Sequence, residues 1–117
     1  MAYYEKLPIY KKSLDLTVWI EKTVRNFPQY HKYTIGSELR EKSREITVLI
    51  ARANVKKGRK ESLLKIRDKL EELKILIRIC KELKVFKSFN SYEFAVRQVV
   101  EIAKQNEGWI KNCFPAK

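Results

Sequence analysis

Glycine and proline are scarce in this chain, three of each in 117 residues. That scarcity leaves little material for the many tight turns of a β-sandwich or barrel. Histidine occurs once, as His31 in the polar segment QYHKY, and the two cysteines, Cys80 and Cys113, stand far apart. A structural zinc site wants about four ligands at regular spacing, so no metal centre is expected. No GxSxG, HExxH, P-loop or Glu-x-x-His pattern occurs. Hydrolase, nucleotide-binding and diiron readings therefore lack their residues. A lone histidine between helices is far more often structural than a general base. Glu71 and Glu72 are helix neighbours that point apart, so they form no acid/base pair. The expectation is a non-enzymatic protein with no catalytic residue and no cofactor. No apolar run approaches the roughly 18 residues of a membrane span. The N-terminus, MAYYEKLPIYKK, lacks the charged-then-apolar order of a signal peptide. A cytoplasmic location with no membrane partner is expected.

What remains is helical punctuation. At 117 residues, 44% hydrophobic and 34% charged, the chain suits one domain with a single core, residues 1–117. Pro8 fits the first turn of a helix, where its missing N–H costs nothing. Ile9, Tyr10, Leu14, Val18, Ile20, Val24 and Phe27 then suggest helical spacing, closed by Phe27-Pro28. This first helix spans about 8–27. A second, about 34–54, takes its apolar face from Ile35, Leu39, Ile46, Leu49, Ile50 and Ala53, and Gly58 punctuates the turn after it. In the third, about 59–86, Leu63, Ile66, Leu70, Leu73, Ile77 and Cys80 alternate spacings of three and four, and Leu76, Ile79 and Leu83 widen that seam. Asn90 reads as the N-cap of a fourth helix, about 90–112, with Glu93 closing a capping box and Phe89 and Phe94 at the staple positions. Gly108 is expected to loosen its last turns. Long helices joined by short connections predict an all-α chain, a single antiparallel up-down-up-down four-helix bundle.

Charge is the other abundant feature. Lys and Arg number 26 against 14 Asp and Glu, a formal +12. The stretch RANVKKGRK puts Arg52, Lys56, Lys57, Arg59 and Lys60 at the bend between the second and third helices, with no acid among them. Gathering one sign of charge is costly through self-repulsion. A polyanion would compensate by releasing its condensed counterions, while a solubilising surface turn is the plainer alternative. On the third helix Lys60, Arg67, Lys74, Arg78 and Lys81 fall within about 60° of one another, and Arg40 and Arg44 make a smaller patch on the second. Two readings stand for this stripe: phosphate contact, or long side chains snorkelling along the core rim with their charges in water. The aromatic surplus (Trp19, Trp109, Tyr3, Tyr4, Tyr10 and Phe114) fits either partner contacts or packing at the bundle ends. Together with the wide apolar face of the third helix it predicts a homo-oligomer.

Three segments carry a family resemblance: FPQYHKYTIGSELREKSREI (Phe27 to Ile46), LLKIRDKLEELKILIRICKELKVF (Leu63 to Phe86) and YEFAVRQVVEIAKQNEGWIK (Tyr92 to Lys111). They include a T-I-G-x-x-(I/L)-R-like run at Thr34 to Arg40. In this order the chain resembles the small four-helix-bundle family that holds the accessory variability determinant (Avd) proteins of diversity-generating retroelements and the proteins encoded in 23S ribosomal RNA intervening sequences. The resemblance implies a non-enzymatic bundle that assembles into a basic pentamer. It further implies association with the retroelement's reverse transcriptase and with template RNA, in support of mutagenic retrohoming. High charge and the basic bend favour the Avd branch. The alternatives are a bundle of the intervening-sequence type, or a basic module that meets an acidic protein and no nucleic acid. The resemblance transfers no contact residue, so the candidate nucleic-acid-binding residues (for RNA, with DNA as the alternative polyanion) rest on charge placement alone.

Overall fold

The computed structural model describes residues 3–54 and 57–113. After a 3-10 turn at Tyr3–Lys6, Pro8 opens α1 (Pro8–Val24), as its fixed φ favours. A single helical turn, α2 (Gln29–Lys32), precedes α3 (Ile35–Ala53), α4 (Arg59–Glu82) and α5 (Phe89–Cys113). No strand occurs among the described residues. The four long helices form a bundle around one apolar core, and no helix is long and apolar enough to cross a membrane.

Side-chain pairs give the helix directions. Ser13 meets Thr47 and Thr17 approaches Ser43, Lys42 meets Glu72 and Glu45 meets Lys69, Leu63 meets Asn106. In the first two sets, rising numbers on one helix match falling numbers on the next. The Trp19 and Phe94 rings, 5.0 Å apart, close α5 onto α1.

The expected seam of α4 is the backbone of this core: Leu63, Ile66, Leu70, Leu73, Ile77 and Cys80 are all buried. Burial raises the Cys80 thiol to about 12, which holds it neutral. The expected widening of the seam fails in part. Leu76 is half-buried, but Ile79 and Leu83 are 41% and 45% exposed. On α1 the core row is Ile9, Ser13, Leu16, Ile20 and Val24, and the expected Leu14 and Val18 point outward. Apolar spacing misled here because a serine occupies the core face. Its hydroxyl lies 2.7 Å from that of Thr47, and the Thr17 hydroxyl lies 2.9 Å from both Thr47 and the Ser13 carbonyl. These small residues satisfy one another and let α1 and α3 approach closely.

Helix ends also differ from the sequence expectation. α1 stops at Val24, not near Phe27, because the Asn26 and Phe27 N–H groups bond the carbonyls three residues back, Thr23 and Val24, in place of the α-helical pattern. A tight turn, Phe27 N–H to Val24 C=O at 2.9 Å, then buries the Phe27 ring. Gly36 lies under this corner, where a Cβ would come within 2.6 Å of Val24 Cγ1 and 2.9 Å of the His31 carbonyl. α4 ends at Glu82, well short of residue 86. Lys84 takes the left-handed conformation (φ 60°), and the N–H groups of Val85 and Lys84 bond the carbonyls of Cys80 and Lys81. This is the paired closure of a Schellman end, made by a lysine where glycine is usual. It turns Val85 into the core and sets Phe86 against Phe27 and Trp19. α5 starts one residue early, and Asn90 lies inside it. The cap is Ser88, whose Oγ accepts the Ser91 N–H at 3.3 Å. Phe89 is exposed against Tyr92 and does not staple Phe94. Gly108 sits in continuous helix, so the last turns do not loosen there.

Candidate functional site

The basic bend is built on Gly58, whose φ of 76° a side-chain-bearing residue adopts only with strain. Around it the basic residues take different tasks. Arg59 turns back: its Nε donates to the Ala53 carbonyl and its Nη2 to the Asn54 carbonyl, both at 2.9 Å. These are carbonyls that the end of α3 leaves without helical partners. Its guanidinium also lies 5.8 Å from the Trp109 ring centroid, so one side chain ties α3, α4 and α5 together. Substituting Arg59 therefore removes a helix cap. Arg52 and Lys57 are exposed and make no hydrogen bond or ion pair with a described residue. Lys60 is exposed on the first turn of α4. Lys56 lies outside the described residues.

The stripe on α4 is in a different state. Arg67 grips Glu107 of α5 through two bonds of 2.8 and 2.7 Å. That pairing holds the Glu107 carboxyl below its ordinary range and the guanidinium above its own. Lys74 lies 3.4 Å from Glu71, Arg78 3.0 Å from Glu82 and Lys81 3.7 Å from the same carboxylate. The hydrogen bond from Arg78 pulls Glu82 down and raises Arg78. Lys81 also stands 5.2 Å from the Tyr92 ring and 5.7 Å from that of Phe89, within cation–π reach. On α3, Arg40 bonds Ser37 at 3.3 Å and Arg44 pairs with Glu21 of α1.

The candidate residues thus fall into three places. Arg52, Lys57, Arg59 and Lys60 gather at one end of the bundle. Arg67, Lys74, Arg78 and Lys81 run along the α4–α5 side beside carboxylates. Arg40 and Arg44 lie on α3, where Arg44 faces α1. Sequence reading placed these residues on one face of the third helix but missed the Arg67–Glu107 pair, whose members are forty residues apart. It also missed a second electrostatic seam. Lys42–Glu72 at 2.8 Å and Lys69–Glu45 at 2.6 Å cross-link α3 to α4. The hydrogen bond to Glu72 raises Lys42, and the bond from Lys69 lowers Glu45.

His31 packs edge-on against Tyr30, with ring centroids 5.3 Å apart. Among the described residues no three His, Cys, Asp or Glu side chains converge as a metal site. A family model described as bAvd-like matches residues 7–113. No curated protein matches the chain.

Proposed function

The chain belongs to the bAvd-like family, and on that premise we propose that it is a non-enzymatic accessory protein that binds template RNA and the reverse transcriptase of a diversity-generating retroelement. The observation that carries the RNA part is the state of Arg52 and Lys57, two exposed cations at one end of the bundle with no carboxylate partner among the described residues. Phosphates on a flexible strand would supply the missing counter-charge, and counterion release would favour the contact. Recognition on these terms positions a backbone and reads no sequence.

The same reading includes a cytoplasmic homopentamer. Its support is the exposed row Ile75 and Ile79 on α4 and Leu83 at its C-cap, which are 54%, 41% and 45% exposed at a spacing of four. A row of this kind on a small bundle fits a protein partner, either a second copy or the polymerase.

Salt-dependent binding of a labelled single-stranded RNA, followed by fluorescence anisotropy, tests the proposal. With two phosphate contacts per protomer, a pentamer makes about ten, and affinity falls by about five orders of magnitude between about 50 and 200 mM salt. Absence of binding at low salt, or binding indifferent to salt, rejects it. Light scattering that gives a stable monomer near 14.0 kDa rejects the assembly.

A further inference from the structure

A groove of about 480 Å³ opens beside the basic bend, between the Tyr3–Lys6 turn, the start of α1 and the end of α3. Tyr4, Tyr10, Thr47, Val48, Arg52 and Asn54 line it. The Tyr4 and Tyr10 rings meet edge to face with centroids 4.8 Å apart, and both are half-buried. Val48 adds an apolar wall at 47% exposure. The Thr47 hydroxyl is engaged with Ser13 and Thr17 inside the bundle. The side chains of Arg52 and Asn54, by contrast, form no hydrogen bond with a described residue. The groove therefore has an aromatic wall, an apolar wall and unengaged donors from Arg52 and Asn54, on the bend that also carries Lys57. Its volume falls in the roughly 300–1,000 Å³ range of small-ligand clefts.

We propose that this groove receives an unpaired nucleobase of a single strand whose phosphates lie on Arg52 and Lys57. A base face stacks on an aromatic ring whatever its sequence, whereas in a duplex that face is covered by neighbouring base pairs. The arrangement thus makes the protein selective for single strands, without making it sequence-specific. The α4–α5 groove, about 430 Å³, offers the useful contrast. No aromatic ring lines it, and its Arg67 and Lys74 are already paired with carboxylates.

This inference rests on the RNA-binding reading above, and the test separates the two. Anisotropy titrations on the full chain compare a labelled single-stranded RNA, the same strand with abasic sites, and the matching duplex. The intact strand should bind about tenfold more tightly than the abasic one, with an equal salt slope. Tyr4→Ala should erase that difference and keep the slope, Tyr4→Phe should restore it, and Arg52→Glu should weaken both strands. Tyr4 lies in the turn before the helices, so the variant keeps its core, which a thermal melt verifies. If intact and abasic strands bind equally well with a steep salt slope, the groove proposal fails and the RNA reading stands. If no strand binds at low salt, both fail. If Tyr4→Ala changes the size of the assembly in light scattering, a second copy covers the groove and the proposal is overturned.

Discussion

The bend and the α4 stripe are made of the same residue types in opposite electrostatic states. At the bend, Arg52 and Lys57 meet solvent with no carboxylate partner among the described residues. Along α4, Arg67, Lys74, Arg78 and Lys81 have acids at 2.7, 3.4, 3.0 and 3.7 Å. Helical spacing aligned the second group into a visible stripe, yet the same spacing brought acids three or four residues away, and α5 brought Glu107. Arg52, in the last turn of α3, and Lys57, in the turn after it, have no such partner among the described residues. A basic residue is therefore a guide to available charge only where no acid lies within helical reach or on the facing helix. Arg59 shows a third state, because its charge completes the end of a helix.

The most severe way to break this comparison is to remove the scaffold common to both regions. Leu70→Asp places a charge in the buried α4 seam and should destabilise the protein by on the order of 4 kcal/mol, seen as a large fall in the thermal midpoint. RNA binding that survives together with an unchanged melt would mean the seam is not the core.

Arg59→Ala should cost about 2 kcal/mol of stability, because the last carbonyls of α3 lose two hydrogen bonds from a charged donor. Arg52→Ala and Lys57→Ala should each stay within about 0.5 kcal/mol of the parent protein. Chemical denaturation distinguishes them, and equal costs would erase the division of labour at the bend.

Binding should separate the two regions next. The pair Arg52→Ala and Lys57→Ala should weaken RNA by about tenfold and flatten the salt slope. Arg67→Ala with Arg78→Ala should change affinity by less than about threefold, since those cations already have partners. Equal losses would show that the stripe is as available as the bend. The converse experiment has a smaller effect: Glu107→Gln frees Arg67 and should strengthen RNA binding by about threefold.

Acid supplies a graded version. The carboxyls of Glu45, Glu72, Glu82 and Glu107 are each lowered from 4.5 by a hydrogen bond from a Lys or Arg. A group whose folded value is depressed stabilises fully above the unfolded value and stops doing so as pH falls through the folded one. Thermal midpoints should hold steady down to about pH 4.5 and decline below it. Lys42 is raised above 10.5, so its share persists below that pH and fades above it. A decline starting near neutral pH would contradict these pairings.

Much of the bundle was legible in the chain. The α4 seam matched residue for residue, because a row of large apolar side chains at spacings of three and four can be buried in only one way. Polar residues on a core face were not legible. Ser13, Thr47 and Asn106 are buried with partners on other helices that no local pattern announces. Asn106 donates to the Leu63 carbonyl at 3.0 Å from forty-three residues away. Helix ends proved equally dependent on distant contacts. Ser88, not Asn90, caps α5, and Lys84 occupies a glycine-like conformation that buries Val85.

Four amphipathic helices, the glycine at the bend and a net charge of +12 are set by the order of the amino acids. These follow from residue spacing and from local backbone preference, which act over a few positions. The tertiary structure alone decided which charges remain available. An ion pair such as Arg67–Glu107, a cap such as Arg59 on α3, or a groove joining Tyr4 and Tyr10 to Arg52 forms between residues distant in the chain. Coulomb interaction and hydrogen bonding depend on separation in space, and only the packing of the helices sets that separation.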